Sequence, residues 1–151
     1  MPSVTRVREN DAPAYVVDRV DEPTWLTRAL VDYLHDTSLA MFGGLPGVNS
    51  ENLVESALAR PHNLFAYVGG DLPRLAAAYA FGFGFPKNHG YRDGNKRTAF
   101  TSCATFLDMN GLDLVADERE ALEVMLGLAT GAVSEEAFAE WLRTHTVPRE
   151  A

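Results

Sequence analysis

The fold is indicated most strongly by the residues Ala76-Ala77-Ala78-Tyr79-Ala80-Phe81-Gly82-Phe83. These residues are apolar on nearly every face of a helix, and such a helix lies inside a domain rather than on its surface. Asp71 and Pro73 precede the run, where an acidic cap and a proline in the first turn both favour helix formation. The run therefore predicts a helix that crosses the middle of the domain.

Helical patterns precede this central helix. Thr24 is followed by apolar residues at helical spacing, which predicts a helix that ends near Ser38. Three glycines and a proline then fall within residues 42–47, which predicts a turn or a short hairpin. Ser50 is a predicted cap for a second helix, which we expect to end just before Pro61.

Helical patterns also follow the central helix. A polar loop at 88–95 leads into a periodic apolar segment that we expect to stop at Asn110. Asp117 begins a capping-box-like sequence for another helix, and Ser134 is a predicted cap for the last one. Strand signals are few. The fold class is therefore predicted to be all-α, with at most a short hairpin at the glycine turn.

The composition limits the classes of partner. The chain has 151 residues, 46% of them hydrophobic, and a formal net charge of −8. Such an acidic surface repels nucleic acid, so no direct nucleic-acid binding is expected. Apolar stretches are too short to span a membrane, and the first residues contain no apolar secretion signal, so the expected location is the cytoplasm. Cys103 is the single cysteine, which excludes an intrachain disulfide and favours a small core residue.

The richest set of reactive groups is Asn88-His89-Gly90-Tyr91-Arg92-Asp93-Gly94-Asn95-Lys96-Arg97-Thr98-Ala99. A loop that enters a helix leaves unpaired N–H groups, and these form an anion site together with the helix dipole. Gly94 permits a close approach of the main chain to a ligand. Lys96 and Arg97 supply positive charge for phosphate oxygens. The stretch therefore indicates a site for a phosphate-bearing ligand.

Two side chains of this loop suit chemistry on such a ligand. Histidine takes and returns protons near neutral pH more readily than any other side chain, so His89 is the candidate general base. Asp93 offers the oxygen ligands that Mg²⁺ prefers beside nucleotide phosphates. The alternative is a polar loop capped by Asp93 or Asn95 with solvated cations. The combination of base, carboxylate, glycine and cations in so few residues favours a functional site.

The signature His-x-x-x-Asp-Gly-Asn-Lys-Arg-Thr-Ala resembles that of the Fic/Doc (Fido) superfamily, and Lys96 makes it most similar to the Doc toxin branch. The segments around His35-Asp36 and around the glycine turn also resemble the first helix and the target-binding flap of that branch. The resemblance implies a Fic/Doc-type helical bundle with a short flap hairpin. It further implies an N-terminal extension at 1–22, a Fido domain at 23–146 and a tail at 147–151.

The resemblance implies a role for each matching residue. His89 would be the catalytic base that takes the proton of a target hydroxyl, and Asp93 would bind Mg²⁺. The anion hole and the nucleotide phosphates would be contacted by Gly94, Asn95, Lys96 and Arg97. The flap would bind an extended segment of the target by strand-like pairing. Its residues are Gly43, Gly44, Leu45, Pro46 and Gly47.

The implied activity is that of a toxin in a toxin–antitoxin pair. It would use ATP and Mg²⁺ to transfer a phosphate to a hydroxyl of a translation factor, with elongation factor Tu as the expected target. A Phd-like antitoxin would be the partner. Two alternatives remain, namely AMP transfer of the Fic type and a catalytically idle member that only binds its antitoxin.

The chain departs from the family pattern at several positions of the loop. Most relatives have Pro-Phe where this chain has Gly90-Tyr91, and Gly90 is expected to loosen the histidine ring while Tyr91 fills the Phe site. Gly94 matches Fic enzymes, whereas Lys96 matches Doc. Because a lysine side chain disturbs the second phosphate pocket of AMP-transferring relatives, kinase activity is favoured.

The N-terminal extension contains two weaker signals. Tyr15-Val16-Val17 is a possible short strand. Residues 5–10 match the inhibitory pattern Ser/Thr-x-x-x-Glu-Gly/Asn of Fic proteins, but three constrained positions carry little weight. A separate antitoxin is the favoured means of control. Outside the loop, His35, His62 and His145 show no metal-ligand spacing and are interpreted as structural or solvated.

Overall fold

The structure, a computed structural model, describes residues 22–85 and 88–149. Apart from Glu22, the predicted extension lies outside the described residues, as do its possible strand at 15–17 and the inhibitory pattern at 5–10. Six helices and two short strands make up the described part of the chain. They are α1 (Arg28–Phe42), α2 (Glu51–Tyr67), α3 (Leu72–Gly84), α4 (Asn95–Met109), β1 (Leu112–Leu114), α5 (Glu118–Thr130), α6 (Glu135–Thr144) and β2 (Thr146–Pro148). The predicted all-α class is confirmed.

Helix α3 forms the centre of the core, as the apolar run predicted. Every residue from Ala76 to Ala80 is completely buried, and the helix contacts α2, α4, α5 and α6. A Cβ atom at Gly82 would lie 3.1 Å from the Cα of Ala57. Glycine therefore allows α2 and α3 to pack with their backbones close together. None of the helices in the part of the chain described here is long and apolar enough to cross a membrane.

The helix starts follow the predicted caps at three places. The side chains of Ser50, Asp71 and Ser134 each accept a hydrogen bond from the N–H three residues later. The first helix begins after Thr27, which caps it by accepting from the N–H of Leu30. Asp117 precedes α5 without a side-chain cap bond, so the predicted capping box does not form there.

Two helices are longer than the sequence indicated. Helix α1 continues past Ser38 to Phe42, and α2 continues through Pro61 to Tyr67. A proline inside a helix costs about 3 kcal/mol. Burial of Pro61 and Phe65 against the core offsets this cost, because one fully buried apolar side chain contributes roughly 1.5–3 kcal/mol.

A small antiparallel sheet joins the end of the chain to the segment after α4. Leu112 pairs with Pro148 and Leu114 with Thr146. Arg149 continues this contact through ion pairs with Asp108 and Asp113. The sequence did not indicate these strands and assigned residues 147–151 to a tail. Among the described residues the glycine turn at 43–47 has no strand of its own, so the flap is an extended loop, not a self-paired hairpin.

Candidate active site

The loop from Asn88 to Gly94 connects the central helix to α4, and it is held at the start of α2. The side chain of Asn49 donates to the carbonyl of His89 at 3.0 Å. The N–H groups of Asn49 and Ser50 both donate to the carbonyl of Gly90, at 2.8 and 3.0 Å. The carbonyl groups of His89 and of the residue after it are therefore both hydrogen-bonded, while His89 itself is exposed.

Gly90, which departs from the family pattern, has a packing reason in this chain. A Cβ atom there would lie 2.8 Å from Cγ2 and 3.1 Å from the backbone nitrogen of Val54. Any larger residue, proline included, would push the loop away from α2. The expected loosening by glycine is thus opposed by the hydrogen bonds to its own carbonyl.

Tyr91 occupies the apolar position that the sequence assigned to it. The side chain is 1% exposed and its ring stacks on that of His35, with centroids 3.9 Å apart. Its hydroxyl donates to Oδ1 of Asp32 at 2.7 Å. Burial, followed by the nearby Asp32 carboxylate, raises the pKa of Tyr91 well above its usual value. Tyr91 therefore stays neutral and connects the loop to α1.

Asn95 closes the loop through its side-chain amide. Its Oδ1 accepts from the N–H of Tyr91 at 3.0 Å, and its Nδ2 donates to the carbonyl of Tyr91 at 2.9 Å. This paired arrangement resembles a strand ladder and requires both the donor and the acceptor of an amide. Asn95 thereby sets the shape of the loop just before α4 begins.

The N-terminus of α4 has free hydrogen-bond donors. Gly94 is the cap, at φ 76°, and it supplies no side chain to the helix start. The first main-chain bond of α4 runs from Thr98 to the carbonyl of Gly94. Within residues 22–85 and 88–149, the N–H groups of Asn95, Lys96 and Arg97 have no protein acceptor. Such donors, together with the helix dipole, suit the binding of an anion.

Asp93 lies at the mouth of this site with an exposed carboxylate. Its Oδ2 accepts from the N–H of Leu45 at 3.1 Å, and its Oδ1 accepts from the N–H of Gly94 at 2.9 Å. The Leu45 bond and then the Gly94 bond lower the pKa of Asp93, so it is ionised at neutral pH. No group of three acidic, histidine or cysteine side chains suited to a metal occurs in the described part of the chain. A Mg²⁺ ion here would be held by Asp93 with water and ligand phosphates, which is common for this ion.

The flap runs beside the loop and is bonded to it. The N–H of Arg92 donates to the carbonyl of Gly47 at 3.0 Å, and Val48 forms an isolated bridge with Tyr91. Gly44 has φ 131°, and a Cβ atom there would lie 3.1 Å from Oδ2 of Asp93. Leu45 is 57% exposed at the tip. The flap therefore presents an apolar side chain beside the site, together with the carbonyl groups of Gly44 to Pro46, which have no partner among the described residues.

The two cations of the signature are available to a ligand. Lys96 and Arg97 are exposed, and neither forms an ion pair with a carboxylate in the portion of the chain that the structure covers. The guanidinium of Arg97 instead lies 4.6 Å from the ring centroid of Phe42, an exposed residue at the end of α1. Such a contact orients the arginine without neutralising it.

The structure brings the predicted residues together and adds two that the sequence did not single out. His35 was interpreted as structural or solvated. It is buried, and its Nε2 lies 2.7 Å from the carbonyl oxygen of Asp93. Phe42, which lies under Arg97, is the second. A hint existed for His35 alone, because it lies shortly before the glycine turn.

Cys103 is fully buried, as expected, and burial raises its pKa.

Comparison with known proteins shows which family has this arrangement. The Fic/DOC family model matches residues 25–107, more than half of the chain. The protein named Protein kinase doc from Escherichia phage P1 is 35% identical over 111 residues, covering 73% of this chain and 86% of that relative. Toxin Doc from Mycolicibacterium smegmatis is 41% identical over 87 residues, covering 57% of this chain and 65% of that relative. The site loop and α1 both lie inside the matched range, and the chain belongs to the Fic/DOC family.

Proposed function

We propose that this chain is a Doc-like toxin that transfers the γ-phosphate of ATP to a hydroxyl group of a protein target. The observation that carries the proposal is the position of His89. It is exposed on a main chain held at the start of α2, in the same short loop as Asp93 and the free N–H groups of α4. The names of the two relatives, a protein kinase and a toxin, support the same activity.

Several groups suit the phosphates of ATP. The free N–H groups at the start of α4 can donate to an anion. Lys96 and Arg97 add positive charge that no neighbouring carboxylate in the described residues neutralises. Asp93 is the residue that would hold Mg²⁺, and its ionised, exposed carboxylate fits that ion. When bound, the ion neutralises phosphate charge during transfer. The residues of the loop would perform the proton transfer and the positioning of the reactants.

The chemistry proposed is a direct displacement. His89 takes the proton of the target hydroxyl as its oxygen bonds to the γ-phosphorus. The bond between that phosphorus and the bridging oxygen breaks, and ADP leaves with the electron pair. Positioning and charge neutralisation contribute most to such reactions. A general base contributes typically 10²–10⁴-fold.

The flap is the proposed binding site for the target. Its carbonyl groups from Gly44 to Pro46 have no partner among the described residues, and Leu45 offers an exposed apolar contact. An extended segment could add to this backbone and bring its hydroxyl to His89. The proposed target is a translation factor, with elongation factor Tu as the first to be assayed, and the proposed partner is a Phd-like antitoxin.

AMP transfer is the second candidate, and Gly94 is the residue that favoured it. Its φ of 76° lies in the left-handed region, where glycine is preferred for steric reasons alone. Gly94 is therefore explained by the start of α4 and carries little information on which phosphate is transferred. Lys96 then remains the main discriminator, and it supports kinase activity.

The experiment uses ATP labelled on the α- or the γ-phosphate, with Mg²⁺ and purified elongation factor Tu. Transfer of the γ-label, with a mass increase of one phosphate group, is expected. Transfer of the α-label would replace the kinase proposal by AMP transfer. Transfer of neither label to this factor, or to any protein of a cell extract, would leave the idle antitoxin-binding member as the better interpretation.

A further inference from the structure

His35 makes a hydrogen bond that reaches the loop from a distant part of the sequence. It is 2% exposed, lies on the buried face of α1, and its Nε2 is 2.7 Å from the carbonyl oxygen of Asp93. A carbonyl oxygen can only accept, so Nε2 must carry the proton. The bond therefore holds the imidazole in one tautomer and one orientation.

This bond also orients a peptide group in the candidate site. In a trans peptide, the C=O of one residue and the N–H of the next point in opposite directions. Because the carbonyl of Asp93 points at His35, the N–H of Gly94 points away from α1, and it donates to the exposed carboxylate of Asp93 at 2.9 Å. Rotation of this peptide would move both the carboxylate and the first donors of α4.

The ring of His35 is itself held firmly. It stacks on Tyr91 with an interplanar angle of 14°. The Tyr91 hydroxyl donates to Asp32, one turn before His35 on α1, and Asp32 also accepts from Arg28 at 3.0 Å. Nδ1 of His35 faces Asp36, whose Oδ1 lies 3.7 Å away. Helix α1 thus contacts the loop at two points, one through Asp32 and one through His35.

We infer that His35 is a positioning residue, which fixes the peptide between Asp93 and Gly94 through its Nε2–H and so aligns the Asp93 carboxylate with the anion site of α4. The inference rests on the proposed function, because phosphate transfer is what gives that alignment a purpose. The hydrogen bond explains why a histidine, and not an apolar residue, is buried at this position.

The test compares variants that keep either the donor or the ring. His35→Gln retains an N–H group at similar reach but loses the stacking on Tyr91. His35→Phe retains stacking and burial but leaves the carbonyl unpaired, and His35→Leu serves beside it in case the larger ring does not fold. Ser38→Ala, on the same buried face of α1, is the control for packing. Hydrogen exchange at the amides of Gly94 and Thr98, which both have an acceptor in the structure, and the rate of phosphate transfer are measured for each.

In His35→Phe and His35→Leu, the hydrogens of these amides are expected to exchange about tenfold faster than in wild type, because one hydrogen bond is lost. Their kcat should fall about 100-fold with little change in KM for the target, since small misplacements have effects of that size. His35→Gln and Ser38→Ala should stay within about threefold of wild type in both measurements. If His35→Phe and His35→Leu behaved like wild type, or His35→Gln lost as much as they do, the assignment would be overturned. If wild type transfers no phosphate at all, the proposed function fails, while the exchange comparison still decides the role of His35.

Discussion

The main-chain N–H of Leu45 donates to Oδ2 of Asp93 at 3.1 Å, so the flap and the candidate metal ligand are physically joined. The same carboxylate accepts from Gly94 through its other oxygen. One side chain therefore contacts the proposed target-binding segment and the start of α4 at once. A change at Asp93 should consequently affect both the metal and the order of the flap.

Replacing Asp93 by Asn should raise the Mg²⁺ concentration needed for half-maximal transfer by about tenfold or more, because the metal loses a charged ligand. Loss of an acceptor oxygen should also increase hydrogen exchange at Leu45. A magnesium titration and exchange at that amide are the measurements. Asp117→Asn is the control, since this exposed cap makes no side-chain bond to its helix. A titration identical to that of wild type would remove Asp93 from the metal site.

Replacing His89 by Ala should lower the transfer rate by about 10²–10⁴-fold, because the base is lost. The side chain is exposed and the loop is held through main-chain groups, so the thermal unfolding midpoint should not change. The rate is measured with labelled ATP, and the midpoint by circular dichroism. Retention of the wild-type rate would show that the assigned base is wrong.

Replacing Leu45 by Asp should reduce modification of the protein target far more than it reduces binding of ATP. The new carboxylate removes an apolar contact at the exposed tip and repels acidic targets. Target transfer is compared with nucleotide affinity measured by calorimetry. Leu122→Asp, at an exposed position on α5, is the control. Equal losses of transfer and of ATP affinity would assign the flap to the nucleotide site or to folding.

Replacing Lys96 by Gly should lower transfer of the γ-phosphate and unmask transfer of AMP. The charged side chain is removed from the start of α4, and the backbone gains freedom to admit a diphosphate. Lys96→Ala, assayed in parallel, separates loss of the charge from the gain in backbone freedom. The position of the label transferred from ATP is the measurement. Transfer of the α-label by the unmodified protein would contradict the kinase assignment.

Replacing Asp71 by Ala should lower the free energy of unfolding at pH 7 by about 1 kcal/mol, since α3 loses its cap and Arg143 loses its partner. The Arg143 bond is the main cause of the lowered pKa of Asp71. A carboxylate whose pKa is lowered by folding stabilises the folded state at pH values above its unfolded pKa, which is near 3.8. This contribution to the free energy of unfolding is lost as the pH falls through the folded pKa.

Urea unfolding between pH 7 and pH 2.5 checks this prediction. The difference between wild type and Asp71→Ala should shrink below a pH of about 4. Asp117→Ala is the matched control, because that cap has no side-chain bond, and it should change the free energy by less than about 0.5 kcal/mol. A constant difference across this range would mean that the ionised carboxylate of Asp71 does not contribute.

Local chemistry accounts for the features that could be predicted from the residues alone. Helix caps at Ser50, Asp71 and Ser134 act on N–H groups three residues away, so they can be predicted without a fold. The buried character of α3 followed from its composition. The site loop could be predicted because its candidate base, its carboxylate, its cations and the start of the helix that presents free donors all lie within residues 88–99.

The contacts between distant segments depend on the folded chain and could not be predicted from the sequence. The continuation of α2 through Pro61 depends on the core that buries its last turns. The pairing of β1 with β2 joins segments far apart in the chain, and neither carries a strong strand signal. The bond from His35 to Asp93 spans 58 residues, and a lone histidine on a helix does not reveal its acceptor. Periodicity and capping report on neighbours within a few residues, whereas these contacts arise from packing, which the local sequence does not encode.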